Sequence, residues 1–230
     1  MPIVLKRSKR YKEAAKKIVE APQPIDKAID IVKSFNAPKF DQAVELIFNL
    51  GIDPKQADQA IRSSISLPHG IGKSKRVIAF CQENFVEAAK AAGAVKAGGQ
   101  ALVEEIEKTN FTDFDVAVAS PDMMRFVGRL GKVLGPKGLM PSPKAGTVTP
   151  NVADAVKEYA AGKVEFRNDT GGNVHCVVGK VSFDNQKLID NINAMIAQIR
   201  KMKPAASKGT YLKRVILKGS MTPAAYVNVQ

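Results

Sequence analysis

Two changes in the pattern of apolar residues limit how this chain can fold more than any other feature of its sequence. The first change falls at residues 67–72 and the second at Gly162. Outside these points, short stretches of alternating apolar and polar residues lie next to helical patterns, which is typical of antiparallel strands packed on helices. Between them, short apolar strands alternate with helices, which favours a parallel sheet covered by helices. The sequence therefore predicts two kinds of structure, one placed inside the other.

The two end segments carry the antiparallel pattern. Alternation from Val44 to Leu50 and again from Ile61 to Leu67 predicts two strands that pair as a hairpin. The turn residues Thr170-Gly171-Gly172 predict a second hairpin. The expected strands are at 40–50, 61–67, 163–168, 173–182, 211–217 and 225–229, and the expected helices are at 9–20, 25–35 and 184–203.

The middle segment carries the pattern of alternating strands and helices. An apolar run predicts a strand at 76–81, after which Asn84 is placed to cap a helix that Gly93 ends. The other expected elements are a strand at 115–119, helices at 100–108, 122–130 and 152–161, and a Gly/Pro-rich loop over 131–150.

The predicted fold class is α/β with two domains. Residues 1–68 and 160–230 are expected to form one split α+β domain, and residues 69–159 an inserted three-layer, Rossmann-like α/β domain. Insertion is tolerated where chain ends lie close together at a surface, which makes Pro68, Gly70 and Gly162 the expected hinges. Three consecutive small units are a weaker alternative, because each end segment alone would have a poor core.

Positive charge is concentrated in the predicted split domain. The chain has 35 Lys and Arg against 22 Asp and Glu, a net charge of +13. Residues 160–230 hold 11 basic and 4 acidic residues, residues 1–69 hold 12 and 8, and the middle segment holds 12 and 10. If the two ends fold together, they form one positive face that can neutralise phosphates.

The polyanions that this charge indicates are nucleic acid or an acidic membrane surface, and of the two we predict nucleic acid. No apolar stretch is long enough to span a bilayer, and the N-terminus lacks the pattern of a secretory signal. Cys81 and Cys176 are expected to be reduced and buried, so the expected location is the cytoplasm. Aromatic residues make up 6% and Trp is absent, which favours recognition of folded RNA by phosphates, 2′-hydroxyls and shape.

Motifs for catalysis are weak. Gly70-Ile71-Gly72-Lys73-Ser74 resembles the end of a phosphate-binding loop, but Leu67 stands where that loop needs glycine and a strand follows instead of a helix. Two His and two Cys are too few and too scattered for a structural zinc site. No cofactor, metal or catalytic residue is predicted, although a nucleotide-dependent enzyme using the middle segment stays the alternative from another class.

A second basic segment lies in the middle of the chain. From Arg125 to Val148 there is no acidic residue, and glycines alternate with basic side chains. Glycines let a backbone approach phosphate closely, and the lysines supply charge. We predict a secondary RNA or tRNA contact here, although a flexible surface loop is the alternative; its residues would be Arg129, Lys132, Lys137 and Lys144.

Several long motifs, in order along almost the whole chain, resemble the bacterial L-one ribosomal proteins. They are Lys39-Phe40-Asp41, residues 50–54, Ser66-Leu67-Pro68-His69-Gly70, residues 133–148, residues 162–169 and Lys208-Gly209-Thr210-Tyr211. The resemblance implies a split domain with an inserted α/β domain. It also implies a non-catalytic part of the large ribosomal subunit that binds rRNA at the mobile stalk near the tRNA exit site and aids release of deacylated tRNA. Repression of its own operon through an mRNA site is implied as well, and a free-standing mRNA-binding repressor is the alternative. The free protein is expected to be a monomer.

The resemblance and the basic run together give the expected RNA-binding residues. The family has a glycine after the methionine where this chain has Thr222, whose hydroxyl could instead bond a 2′-hydroxyl. Core packing is the alternative for Phe40 and Met221. The expected residues are Lys39, Phe40, Arg167, Asn168, Asp169, His175, Lys208, Lys213, Ser220, Met221 and Thr222.

Overall fold

The computed structural model describes residues 8–19, 21–35 and 38–229. Lys6 and Arg7 of the basic N-terminal run lie outside the described residues. The α-helices are α1 (Lys9–Ala15), α2 (Ile25–Lys33), α3 (Glu83–Ala91), α4 (Gln100–Thr109), α5 (Met124–Val127), α6 (Gly131–Leu134), α7 (Val152–Ala160) and α8 (Asn185–Lys201). The strands are β1 (Ala43–Leu50), β2 (Arg62–Ile65), β3 (Val77–Phe80), β4 (Ala94–Gly98), β5 (Val116–Ala119), β6 (Val164–Arg167), β7 (Asn173–Lys180), β8 (Leu212–Gly219) and β9 (Ala224–Val227).

The chain divides into two compact units. Unit 1 contains the chain up to Ile61, then Leu67–Gly72, then the chain from Phe166 onward. Unit 2 contains Arg62–Ser66 and Lys73–Glu165. Together they make a mixed α/β protein, which confirms the predicted fold class.

Unit 1 is an antiparallel sheet with helices on one face. The strand order is β7-β1-β8-β9, so β1 and β8 are central. Every second residue of β1 is buried, from Val44 to Leu50, because these side chains lie on the sheet face where α2 packs on β8 and β9 and α8 packs on β7. The core of this face also holds Val174, Cys176, Val178, Val215, Leu217, Ala225 and Val227.

The predicted hairpin between 40–50 and 61–67 is wrong. Both edges of β1 are filled by β7 and β8, which come from the other end of the chain. Strand β2 pairs with β6 instead. Alternation shows which side chains share a face, but it does not say which strand lies alongside.

The predicted hairpin at residues 170–172 forms only as a turn. One antiparallel bridge joins Asn168 and Val174, after which β7 takes β1 as its ladder partner. The turn therefore redirects the chain from the small β2–β6 ribbon into the larger sheet.

Unit 2 is a three-layer sandwich around a parallel sheet of order β4-β3-β5. Successive residues of β3 point to opposite faces, and all four are buried. Val77 and Ala79 pack with α3 and α7, while Ile78 and Phe80 pack with α4 and the helical segment 121–134. Helix α3 begins after Gln82, not after the predicted cap Asn84. Strand β4 was not predicted.

The segment 121–134 is helical for longer than the sequence predicts. It consists of a 3-10 turn, α5, a second 3-10 turn and α6, with Gly128 and Gly131 in ordinary right-handed helical geometry. The expected loop therefore begins near Gly135. None of the described helices is long and apolar enough to cross a membrane.

Candidate nucleic-acid interface

The face of the unit 1 sheet that points away from α2 and α8 is accessible to solvent, and we call it the outer face. The strand register places its residues in three rows across β7, β1, β8 and β9. One row is Asn173, Asn49 and Arg214; the next is His175, Ile47, Ile216 and Tyr226; the third is Val177, Glu45, Lys218 and Ala224. Asn49 donates to Asn173 at 2.7 Å, and Lys218 pairs with Glu45 at 3.2 Å.

The predicted RNA-binding residues gather at the two ends of this face. Lys39, Phe40, Ser220 and Met221 lie at the end where β1 begins, which we call the turn end. Residues 167–175 together with Lys208 and Lys213 lie at the end where β1 finishes, which we call the loop end. At about 3.3 Å per residue, the eight residues of β1 separate the two ends by about 23 Å.

At the turn end, two apolar side chains stand out from the surface. Phe40 is 52% exposed and Met221 is 55% exposed, so neither belongs to the core. The backbone beneath Met221 is fixed, because its N–H donates to Oε1 of the buried Gln42 at 2.8 Å and the N–H of Ser220 donates to Ala43 O at 3.1 Å. Exposed apolar side chains on a fixed turn are suited to packing on ribose.

Thr222 does not lie at the surface as expected. It is 8% exposed, and its hydroxyl accepts from the N–H of Gly219 at 2.8 Å and lies 3.0 Å from Pro223 O. The Thr222 hydroxyl stabilises the turn that carries Met221. It therefore points into the turn and not towards a binding partner. A direct contact between this hydroxyl and RNA is therefore not supported.

At the loop end, Asp169 organises the turn before β7. One carboxylate oxygen accepts from the N–H groups of Gly171 and Asn173, and the other accepts from the Asn173 amide at 3.0 Å. These bonds, the Asn173 side chain first, hold the pKa of Asp169 below its ordinary value. Asn168 is also used locally, because its Oδ1 accepts from the N–H of Ile61 at 2.7 Å. Both residues shape the loop, and Arg167 is exposed beside them.

The remaining loop-end residues carry the charge. His175 is exposed on the outer face, with Nε2 3.8 Å from Oδ2 of Asp169. Lys208 and Lys213 are both exposed. The turn that carries Lys208 and leads into β8, where Lys213 lies, is held to the end of β1, since the N–H of Gly51 donates to Tyr211 O at 2.7 Å and the hydroxyl of Ser207 donates to Gly51 O.

Two basic residues and one aromatic residue of this interface were not among the predicted RNA-binding residues. Arg214, Lys218 and Tyr226 lie on the outer face between or beside the two ends. A usable signal was present for Arg214, because Arg214 and Ile216 are spaced two apart in the strand predicted at 211–217 and must share a face; Lys218 lies just beyond that predicted strand.

The predicted secondary contact lies in unit 2. Arg129, Lys132, Lys137 and Lys144 are all exposed, and the ammonium of Lys137 donates to the hydroxyl of Thr112. Arg125, Arg129 and Lys132 follow helical spacing along the segment 121–134, so they form one basic stripe.

The predicted hinge residues lie inside the units, where hydrogen bonds hold them. The buried side chain of Asn191 accepts from the N–H of His69 at 3.1 Å and donates to Gly70 O at 3.0 Å and Val178 O at 2.8 Å, which ties the segment around Pro68 and Gly70 to unit 1. Gly162 ends α7 within unit 2 at a φ of 105°. The chain crosses between the units after Ile61, Ser66, Gly72 and Glu165. The hinge assignment stays a prediction.

The described residues show neither a metal-binding cluster nor the phosphate-binding loop of a nucleotide site. Within them, no three His, Cys, Asp or Glu side chains come together as a metal site requires. The segment Gly70–Ser74 leads into β3, so it lacks the helix that a phosphate-binding loop opens. Cys81 and Cys176 are both buried.

An α/β protein with net charge +13 and an accessible sheet face bordered by basic loops has the electrostatic features typical of proteins that bind structured nucleic acid. The profile of the Ribosomal protein L1p/L10e family matches residues 32–223. The chain belongs to this family, which confirms the resemblance and makes it a structural, non-catalytic ribosomal protein.

Curated relatives match over nearly the whole length. The large ribosomal subunit protein uL1 of Kosmotoga olearia is 51% identical over 227 residues, which cover 98% of this chain and 97% of that protein. The proteins of the same name from Thermosipho africanus and Thermosipho melanesiensis are 51% and 49% identical over 225 residues, which cover 97% of both chains in each case.

Proposed function

We propose that this protein is a constituent of the large ribosomal subunit and binds large-subunit rRNA at the mobile stalk near the tRNA exit site. The observation that carries the proposal is the gathering of the predicted RNA-binding residues at the two ends of one accessible sheet face. The names of the relatives, each a large ribosomal subunit protein, support it.

The RNA would lie across the outer face and meet different chemistry at each end. At the turn end, Phe40 and Met221 pack on ribose while Lys39 reaches a phosphate. At the loop end, Arg167, Lys208 and Lys213 neutralise phosphates, and His175 offers a hydrogen bond. At both ends a backbone N–H donates to a side-chain oxygen, of Gln42 at the turn end and of Asp169 at the loop end, so the backbone is already ordered before RNA binds.

In this proposal unit 1 binds the rRNA, and the protein also binds two further RNAs. Deacylated tRNA at the exit site would meet the basic stripe of unit 2, which would aid its release. The protein's own operon mRNA would bind the same outer face, so repression and ribosome assembly would compete. The location is the large subunit in the cytoplasm, and the free protein would be a monomer.

The test compares exposed aromatic residues in the two units of the full-length chain. Phe40→Ala should weaken binding to a stalk RNA fragment by about 5-fold or more, because a ribose contact is lost. Phe85, 49% exposed on α3 of unit 2, is the matched control, and Phe85→Ala should bind as the unaltered protein does. Thermal unfolding should be nearly unchanged in both, since both side chains lie at the surface.

The salt dependence decides how specific the binding is. The stalk fragment should be preferred over an unrelated hairpin, and the preference should survive about 200 mM salt. If the protein has equal affinity for both RNAs and loses that affinity as salt rises, its binding is nonspecific and electrostatic, and the proposal is rejected.

A further inference from the structure

A groove of about 750 Å³ lies at one corner of the unit 1 sheet. Strand β9 ends at Val227 opposite Val215, while β8 begins three residues earlier at Leu212. Lys213, Arg214, Tyr226 and Asn228 are among its lining residues. The volume is within the range of about 300–1,000 Å³ that small-molecule sites occupy.

The lining combines an aromatic ring with a guanidinium at cation–π distance. The guanidinium carbon of Arg214 lies 5.5 Å from the centroid of the Tyr226 ring. The register places both side chains on the outer face, Arg214 opposite Asn49 and Tyr226 opposite Ile216. Unpaired bases stack on aromatic rings and on arginine planes, and neither surface selects one base.

The charge of the groove favours a nucleic-acid occupant. No acidic side chain is among its described lining residues, and Lys213 is exposed beside Arg214. Thr210 also lines the groove, which places it next to the turn that carries Lys208. A strand of RNA that contacts the loop end would therefore pass this corner.

We propose that the groove binds one unstacked nucleotide of the bound RNA, with its base on the Arg214–Tyr226 pair and its phosphate beside Lys213. The inference rests on the proposed function, because the RNA is the one that lies across the outer face. It adds a single-stranded contact to recognition that otherwise uses phosphates, ribose and shape.

The first experiment measures affinity of the full-length chain for the stalk RNA fragment across a salt series. Tyr226→Ala should lower affinity about 5- to 100-fold, the usual effect of losing one base–aromatic stack, and leave the salt slope unchanged. Tyr226→Phe keeps the ring and should bind normally. Arg214→Lys keeps the charge but not the plane, so it should lose affinity with the same slope, and Phe85→Ala is the control for an exposed ring elsewhere.

The second experiment observes the ring directly. The chain has four tyrosines, and Tyr159 and Tyr211 are buried, so fluorotyrosine gives a fluorine spectrum that is easily assigned with Tyr226→Phe. Stalk RNA should shift the Tyr226 signal upfield by the ring current of a stacked base. A fully paired RNA should leave that signal in place.

The outcomes separate the two proposals. If stalk RNA binds but neither the affinity of Tyr226→Ala nor the Tyr226 signal changes, the groove does not hold a nucleotide. If the unaltered protein does not bind stalk RNA, the proposed function fails and the groove inference fails with it.

Discussion

Side chains at the two ends of the outer face divide into those that meet a partner and those that fix the backbone. Phe40 and Met221 are exposed, whereas the side-chain oxygens of Thr222 and Asp169 accept hydrogen bonds from neighbouring backbone N–H groups. The sequence could not separate these roles, because all four residue types occur in contacts with RNA. The decisive difference is the direction of each side chain, which the turn geometry sets.

The carboxylate of Asp169 should make stability depend on pH. Its pKa is lowered in the folded protein, so the stabilisation is complete well above about pH 4 and is lost as pH falls through the folded pKa. In denaturant unfolding, the stability gap between the unaltered protein and Asp169→Asn should be constant from pH 7 to about pH 5 and narrow below about pH 4.

Asn173→Ala provides the control for that experiment. It removes the strongest donor to the carboxylate, so its own loss of stability on acidification should be smaller than that of the unaltered protein. A gap between the unaltered protein and Asp169→Asn that stays constant down to about pH 2 would show that Asp169 does not stabilise the turn as a carboxylate.

Among the elements, the helical segment 121–134 extends beyond the helix that the sequence predicts at 122–130. The expected loop began at Gly131, yet Gly131 continues the right-handed helical geometry of Gly128 because Val127, Leu130 and Leu134 are buried against the sheet of unit 2. Burial of an apolar stripe outweighs the backbone entropy that glycine loses in a helix.

Alanine at Gly128 should therefore stabilise the protein. An added Cβ would meet nothing within 4 Å, and the φ of −53° suits any residue. We expect Gly128→Ala to raise the free energy of unfolding by about 0.5–1 kcal/mol, measured by denaturant titration. Gly135→Ala is the contrasting variant, because its Cβ would lie 2.4 Å from Gly131 O, and it should destabilise. A loss of stability in Gly128→Ala would contradict the helical assignment.

Strand β4 is an element that the local sequence does not predict. Its sequence, Ala94-Val95-Lys96-Ala97-Gly98, has weak strand propensity, and only its parallel pairing with β3 makes it a strand. Strand β3, whose four residues are all buried, was predicted correctly because continuous apolar runs are typical of covered parallel sheets.

At the scale of the whole molecule, charge is divided between the units in a way that should be visible in binding. The two chain ends carry most of the net charge of +13. Each exposed lysine that contacts a phosphate contributes about one to the salt slope of binding. Lys39→Ala and Lys213→Ala should each lower the slope for stalk RNA by about 1.

Lysines of unit 2 serve as the comparison in that measurement. Lys132→Ala should leave the slope for stalk RNA unchanged and weaken binding of deacylated tRNA instead. If Lys132→Ala lowers the stalk slope as much as Lys39→Ala does, the stalk RNA also contacts unit 2, and the assignment of rRNA binding to unit 1 alone is wrong.

The sequence by itself determined the fold class, the positions of most strands and helices, and the concentration of charge at the two ends. These follow from periodicity and composition, which are local properties. The tertiary structure alone decided that β1 pairs with β7 and β8, that Thr222 faces inward and that Arg214 meets Tyr226. Each of these depends on residues far apart in the chain or on the direction of a turn, and side-chain alternation specifies a face without specifying the neighbour on that face.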